Sequence, residues 1–357
     1  MDGDSRGVTR QVDLDDPGAP DVGAPATSVA VVIPIYTMDR WPLIERAVTS
    51  ARAQELQPEM VVLVVDHNED LYTRAIDRWA AQDDDAVVPV IVVAHDRADH
   101  PDADDPGLRG VHVRAHGTSR RFGAGSARNV GVREVKSDII AFMDDDAWAD
   151  PTWLLRLLEP YADPRVIAVG GTSLPYYETA RPAWFPPNFD WVFGCSYSGL
   201  PATTAPLAHL IGANMSVRRA AFEELGGFTG SDFDDLNLCM RLGDRFGVGS
   251  VVYEPRSVVH HYVSKDRVAW RYFYRRCYFV NREKARVLSA IGGAANLRSE
   301  RHFVLRSLRT ETVTLVGRAL RGNWAALRQL GAMLTGIAAA GVGYAHGLVR
   351  QVARRSA

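Results

Sequence analysis

The sequence predicts an α/β protein with a mostly parallel central sheet and a helical C-terminal extension. Two observations carry this. Short apolar, β-branched runs alternate with helically spaced segments through the first half, and no strand signal follows Asp266. Strands of a parallel sheet are buried on both faces, so they read as near-continuous hydrophobic runs rather than alternating ones. A chain of 357 residues, 46% of them hydrophobic, can fill the core of one large domain of this kind.

In order, Ala30–Ile35 is a strand, Arg40–Ala53 a helix through Leu43, Ala47, Val48 and Ala51, and Val61–Val65 a strand that stops at Asp66. Asp70–Gln82 reads as helix and Val87–Ala94 as strand, followed by an acidic, histidine-containing loop over 95–110. Gly125–Glu134 is a helix after a glycine turn, and Ile139–Met143 is a strand running into Asp144. Beyond it come a helix over Thr152–Tyr161, strands over Val166–Gly170, Leu210–Val217 and Val251–Glu254, and helices from Arg219 and from Asp234. Residues 1–27 are polar and proline-rich and read as a disordered leader. The expected division is a leader over 1–27, the α/β domain over 28–290 and a helical extension over 291–357.

A net charge of −2 argues against a nucleic-acid binder. Three scattered cysteines, with no CxxC pair, argue against a disulfide framework and fit a reducing, cytoplasmic setting. Leu330–Val349 contains no Asp, Glu, Lys or Arg and has the length of a membrane span. Its glycines and alanines favour instead an interfacial helix or a protein-packed helical hairpin, with peripheral membrane contact expected through 323–350 at the inner face.

In a parallel α/β sheet ligands bind beyond the carboxyl ends of the strands. Asp66 and the turn Asp144-Asp145-Asp146 both lie at such ends. Three adjacent carboxylates repel one another unless a cation relieves them, and hard Mg²⁺ or Mn²⁺ ions take oxygen ligands and share them with substrate phosphates. Asp144 and Asp146, pointing the same way, are the expected metal ligands. The bland alternative is a solvated acidic turn. Gly123–Asn129, opening the helix upstream, offers backbone N–H groups and Arg128 to an anion. Asp234-Asp235 opens another helix, as a simple cap or as the carboxylate that takes an acceptor proton. His260 and His261 are either surface histidines or metal contacts. The aromatic stretch 176–197, including Trp191, either packs under a long loop or stacks on an acceptor sugar or lipid. The histidines over 95–117 read as a solvated loop and not as a second metal site.

These residues in this order resemble family 2 glycosyltransferases over roughly 28–290: Val-Val-Ile-Pro-Ile-Tyr (31–36), Val-Val-Asp (64–66), Gly-Ser-Ala-Arg-Asn-Val-Gly (125–131), Ala-Phe-Met-Asp-Asp-Asp (141–146), Gly-Ala-Asn-Met-Ser (212–216), Leu-Gly-Gly-Phe (225–228) and Asp234-Asp235. The resemblance implies a GT-A fold and an inverting transfer from a nucleotide-sugar donor to a saccharide or lipid-linked acceptor. It implies that Pro34, Tyr36, Asp66, Arg128, Asn129 and Asp144 line the nucleotide, that Asp144, Asp146 and His261 meet Mg²⁺ or Mn²⁺, and that Asp235, with Asp234 beside it, is the base. Trp191 and Asn214 are the expected acceptor contacts. Arg-Pro-Ala-Trp-Phe-Pro (181–186) and Trp270–Tyr278 are similar to prokaryotic glucuronosyltransferases acting on lipid-linked sugars, which makes UDP-glucuronate or another UDP-hexose the donor candidate. The second strand ends in Asp-His-Asn-Glu-Asp, a departure from the family's Gly-Ser turn. A nucleotidyltransferase would carry a glycine-rich loop after the first strand, where Tyr36–Arg40 has none. A catalytically degenerate binding or scaffold protein is the remaining rival.

Overall fold

The computed structural model describes residues 28–80, 88–95, 115–116, 123–229, 233–247, 249–290, 304–305 and 307–355. The proposed leader, most of the acidic loop and the join at 291–303 lie outside these. The strands are β1 (Val29–Ile35), β2 (Met60–Asp66), β3 (Val90–His95), β4 (Ala115–His116), β5 (Ile139–Met143), β6 (Ala147–Ala149), β7 (Ala168–Tyr177), β8 (Ala205–Pro206), β9 (Asn214–Arg218) and β10 (Val251–Val263). The helices are α1 (Trp41–Arg52), α2 (Glu69–Ala80), α3 (Ala124–Arg133), α4 (Trp153–Leu158), α5 (Arg219–Glu224), α6 (Asp234–Phe246), α7 (Trp270–Ala290), α8 (Thr312–Leu320) and α9 (Ala325–Arg355).

The strands form one mixed sheet in the order β4-β3-β2-β1-β5-β9-β7-β10-β6, with β8 on β10. From β4 to β5 every pairing is parallel, as the apolar runs require. The sheet then reverses at β9, which is antiparallel to both β5 and β7. Strand alternation sends successive side chains to opposite faces, and here both faces are covered. Val31, Ile33 and Ile35 of β1 join Leu63 and Val65 of β2 in the core beneath α1, α2 and α4. Ala30, Val32, Val62 and Val64 point the other way, into the core beneath α3, α5 and α6. On that face Gly131 lets α3 close on the sheet: a Cβ there would stand 2.5 Å from Val32 and 2.8 Å from Val64.

Two strands are longer than their sequence signals. β7 continues past Gly170 through the polar and aromatic residues to Tyr177, and β10 continues past Glu254 to Val263, the two being parallel partners. Pro255 and Arg256 hide the continuity of β10, because proline inside an apolar run reads as a stop. His260 and His261 therefore lie within a strand and not after one. The aromatic stretch forms a 3₁₀ turn over Pro187–Phe193. Phe185, Phe189 and Phe193 pack there on Phe273 and Cys277 of α7 and on Ala332 and Met333 of α9, all fully buried.

α9 is a packed helix, joined to α8 by a short turn and packed on it through Leu315, Ala319 and Ala326. It runs in the same direction as α7: Gly336 meets Phe273, Gly343 meets Tyr278, and Gly347 meets Arg282. A Cβ on Gly343 would stand 2.1 Å from the Tyr278 carbonyl oxygen, so the two backbones touch. Gly343→Leu is expected to force α9 off α7, lowering the Tm by several degrees in a calorimetric scan, because overpacking here costs about 1–3 kcal/mol.

Candidate active site

A cleft of about 1010 Å³ opens over the carboxyl ends of β1, β2 and β5. It is lined at one end by Pro34, Tyr36, Asp66 and the start of α3, in the middle by Asp144–Asp146, Arg128 and Gly212, and at the other end by His261, Arg267, Tyr272 and Arg276. Asp234 and Asp235 close one wall. Residues separated by more than a hundred positions thus share one site.

The acidic turn is the centre. The Ala147 N–H donates to the Asp144 carbonyl at 3.1 Å, closing a tight turn between β5 and β6. Pairing of β6 with β10 sets His261 opposite Ala147, and the Tyr262 N–H donates to the Asp146 carbonyl at 2.8 Å. That register brings His261 Nε2 to 3.1 Å from Asp146 Oδ1 and 3.9 Å from Asp144 Oδ2. Asp144 is the most accessible of the three carboxylates and is paired with Arg128. Asp146 is buried among cations, with Arg40 Nη1 at 3.2 Å and Arg267 Nη1 at 3.7 Å. Burial acts to raise the Asp146 pKa, but His261, Arg40 and Arg267 outweigh it and hold the carboxyl well below the usual range. The same pairing, together with Cys195 Sγ at 3.6 Å from Nδ1, outweighs burial at His261 and lifts that imidazole well above its ordinary value.

Asp145 turns inward to Arg40 Nη1 at 2.6 Å, with Oδ2 buried and unpartnered among the described residues. Its burial and the neighbouring Asp146 raise its pKa in spite of Arg40. The solvated-turn reading fails on this geometry, because Asp145 and Asp146 are both buried. Ligand atoms of Asp144, Asp146 and His261 all lie within 4.8 Å of one another. Two carboxylates and one imidazole suit a Mn²⁺-like ion, and an open side toward the cleft leaves room for phosphate oxygens.

At the other end, Asp66 is held from three sides. His67 Nδ1 and His95 Nδ1 each lie 2.6 Å from Oδ1, and the Gly123 N–H donates to Oδ2 at 3.0 Å. These contacts outweigh burial and lower its pKa. His95, read in sequence as part of a solvated loop, is buried at the end of β3 and reaches Ser126 Oγ at 3.2 Å through Nε2. Residues 96–114 and 117–122 lie outside the described chain. Tyr36 projects into the open cleft mouth with Arg40 over its ring at 5.0 Å.

The acidic pair lies in the first turn of α6, whose N-cap position is Phe233. Asp234 accepts from Thr229 N and Oγ1 at 3.1 and 3.0 Å. Asp235 accepts from the Gly212 N–H at 3.2 Å and the Leu236 N–H at 2.7 Å, with His209 Nε2 at 3.5 Å. Burial acts to raise the Asp235 pKa, yet His209, the Leu236 N–H and Arg128 draw it down to about 2. Arg128 donates to the Gly212 carbonyl at 3.2 Å, so Gly212 joins Asp235 to the Asp144 side of the cleft. Gly125 makes room for Asp234: a Cβ there would stand 1.8 Å from Asp234 Oδ2. Gly125→Ala is expected to push Asp234 and α3 apart and weaken nucleoside diphosphate binding about tenfold by calorimetry, with a small Tm loss.

Three expected site residues stand back from the cleft. Asn129 binds the Phe228 carbonyl at 2.8 Å and the Phe228 N–H at 2.9 Å, clasping the Gly226-Gly227 turn against α3. Asn214 is fully buried and accepts from Trp153 Nε1 while donating to the Thr172 and Ser257 carbonyls. Trp191 lies in the aromatic cluster beside Phe189. Sequence reading missed Arg40, Arg267 and Arg276. No short pattern marks them, since each reaches the site only through the fold.

Comparison with known proteins marks the chain as a glycosyltransferase. Residues 106–226 match the model of glycosyl transferase family 2, and the fold is of the GT-A type. Over 333 residues the chain is 28% identical to a glucosyl-dolichyl phosphate glucuronosyltransferase of Haloferax volcanii, covering 90% of this chain and 96% of the relative. It is also 28% identical over 163 residues to a pre-mycofactocin glycosyltransferase of Mycobacterium tuberculosis, covering 43% of this chain and 33% of that one. Among solved structures it is similar to a mannosyltransferase of Pyrobaculum calidifontis in complex with GDP-Man and Mn²⁺, at a TM-score of 0.51 and 19% identity, covering 91% of this chain and 89% of that one.

Proposed function

We propose that the chain transfers a sugar with inversion from a UDP-hexose, UDP-glucuronate being the leading candidate, to a hydroxyl of a lipid-linked saccharide at the cytoplasmic face of a membrane. The observation that carries the reading is the convergence of Asp144, Asp146 and His261 within one coordination sphere, in the same cleft as Asp235. The full-length likeness to the Haloferax volcanii enzyme supports the donor and acceptor class.

In this reading Pro34, Tyr36 and Asp66 receive the nucleoside, Asp66 being pre-oriented by His67 and His95. Asp144, Asp146 and His261 would hold Mg²⁺ or Mn²⁺, which would neutralise the diphosphate as it departs. Asp235 takes the proton of the acceptor hydroxyl. The acceptor oxygen bonds to the anomeric carbon from the face opposite the breaking bond to the diphosphate oxygen. His209 and the Leu236 N–H lower the Asp235 pKa, so it is ionised and able to take that proton as the acceptor oxygen bonds to the anomeric carbon. Asp234, fastened to Thr229, shapes the wall beside it.

Arg276 adds an acceptor-side feature. It lines the cleft from α7 near Arg267 and Tyr272, and its Nε is buried without a hydrogen-bond partner among the described residues. A guanidinium in that position suits the phosphate of a lipid-phosphate-linked acceptor. Arg276→Ala is expected to raise the acceptor KM about tenfold while leaving donor affinity unchanged. An unchanged acceptor KM would remove Arg276 from the acceptor site.

The deciding experiment is a thermal-shift panel of UDP-glucuronate, UDP-glucose and GDP-mannose with and without Mn²⁺. A stabilisation by one UDP-sugar that requires the metal is the expected result. Stabilisation by none of them, or one independent of metal, contradicts the reading.

A further inference from the structure

The α8 and α9 helices expose more apolar surface than a solvated helical layer does. On α8 and the turn after it, Val313 is 72% exposed, Leu320 84% and Trp324 72%. On α9, Leu327, Arg328, Gly331, Leu334, Thr335, Ala338, Gly341, Val342, Ala345, Leu348 and Val349 all face outward. They recur at three- and four-residue spacing and so form a single stripe. Only Arg328 and Thr335 interrupt its apolar character. From Thr312 to Ala357 the sequence contains six arginines and no lysine, aspartate or glutamate. An outward stripe this apolar, beside cations alone, is the reverse of the polar face that a soluble helix presents.

We propose that α8 and the outward stripe of α9 lie flat on an anionic membrane surface, with Val313, Leu320, Trp324, Leu334 and Val342 in the headgroup–acyl boundary and the arginines at the phosphates. Length and composition would also permit Ala325–Gln351 to cross a bilayer. The opposite face of α9 rules against a crossing. Gly336, Gly343 and Gly347 press it along α7, which carries Arg275, Arg276, Arg282 and Glu283. Inserting α9 would pull that charged helix into hydrocarbon or break the backbone contact at Gly343. A second copy of this chain fits less well, since the same arginines would meet across a two-fold interface. α7 joins the two regions, because it packs on α9 through Tyr278 and supplies Tyr272 and Arg276 to the cleft. The proposal gives a surface to the membrane location proposed above and rests on that reading.

The full chain would be sedimented with phosphatidylcholine vesicles and with vesicles containing phosphatidylglycerol. Binding of UDP with Mn²⁺ and the Tm would be read on the same preparations. The expected result is co-sedimentation with the anionic vesicles, about tenfold weaker with neutral ones, and release from native membranes by alkaline carbonate. Two double variants, Leu320→Asp with Trp324→Asp and Leu334→Asp with Val342→Asp, should each lose vesicle binding about tenfold with nucleotide affinity and Tm retained. Wild-type protein left in the supernatant, or variants that pellet as it does, overturns the proposal. Retention after carbonate overturns it in favour of a span. A dimer in light scattering that either variant dissociates overturns it in favour of a second copy. Loss of nucleotide binding in the wild type would instead strike the transferase reading, whatever the vesicles show.

Discussion

Asp146→Asn is expected to abolish Mn²⁺-dependent binding of a nucleoside diphosphate, with an affinity loss of at least about 100-fold by calorimetry. Asp146 has the greatest leverage of the three acidic positions because it is buried between His261, Arg40 and Arg267. Removing its charge takes away an anionic ligand and deprives His261 and Arg267 of the carboxylate they face. Asp146→Ala, which also removes the hydrogen bonds, should cost about 3 kcal/mol of stability in the metal-free protein, as breaking a buried ion pair does. The folded-state pKa of Asp146 lies below the unfolded value. Its stabilisation is therefore complete above the ordinary carboxylate range and fades as pH falls toward the lowered value. The Tm gap between wild type and variant should be full at neutral pH and shrink in acid. Metal-dependent affinity equal to wild type would remove the central claim.

Asp235→Asn is expected to leave donor and metal binding within about twofold of wild type and to cut kcat by about 10³, the scale of a lost general base. Asn keeps the shape and can still meet the Gly212 N–H, so a change in rate without a change in donor affinity isolates the proton-accepting role. Asp234→Asn should do less to kcat, because its carboxylate is engaged by Thr229 and faces Gly125. With a pKa of about 2, Asp235 stays ionised far below neutrality, so any acid limb of the wild-type kcat profile at mildly acidic pH belongs to another group. Full turnover in Asp235→Asn would exclude it as the base.

The parallel half of the sheet was legible because a strand buried on both faces leaves an unbroken apolar run, and β1, β2 and β5 do so. The acidic turn was legible for a local reason too, three carboxylates directly after such a run. The extensions of β7 and β10 were not, since polar residues and Pro255 occupy strands that lie partly at the surface. Asn129 and Asn214 carried a strong sequence signature but work in the frame, one clasping a glycine turn and the other tying Trp153 to two carbonyls. A short pattern records that a residue is required, and does not say whether it meets ligand or backbone. The converse holds for Arg40, Arg267, Arg276 and His95. The three arginines reach the cleft, and His95 reaches Asp66 at its edge, from a helix, turn or strand end whose local sequence carries no mark of it, and only tertiary proximity gives each a task.

One feature of β10 governs which imidazole meets the acidic turn. Its register against β7 jumps between Glu254 and Val258, so three residues, 255–257, have no counterpart on the neighbouring strand. Side chains on a strand alternate, and an odd insertion inverts the parity of everything downstream. With the insertion, His261 faces Asp146, while His260 faces Asp150 at 2.8 Å and stacks on Trp148. A slip of one residue in the β10 register would exchange the two histidines, handing His260 to the cleft and His261 to the outer side. The doublet His-His is thus one choice made twice, and the kink upstream selects which copy serves the cleft.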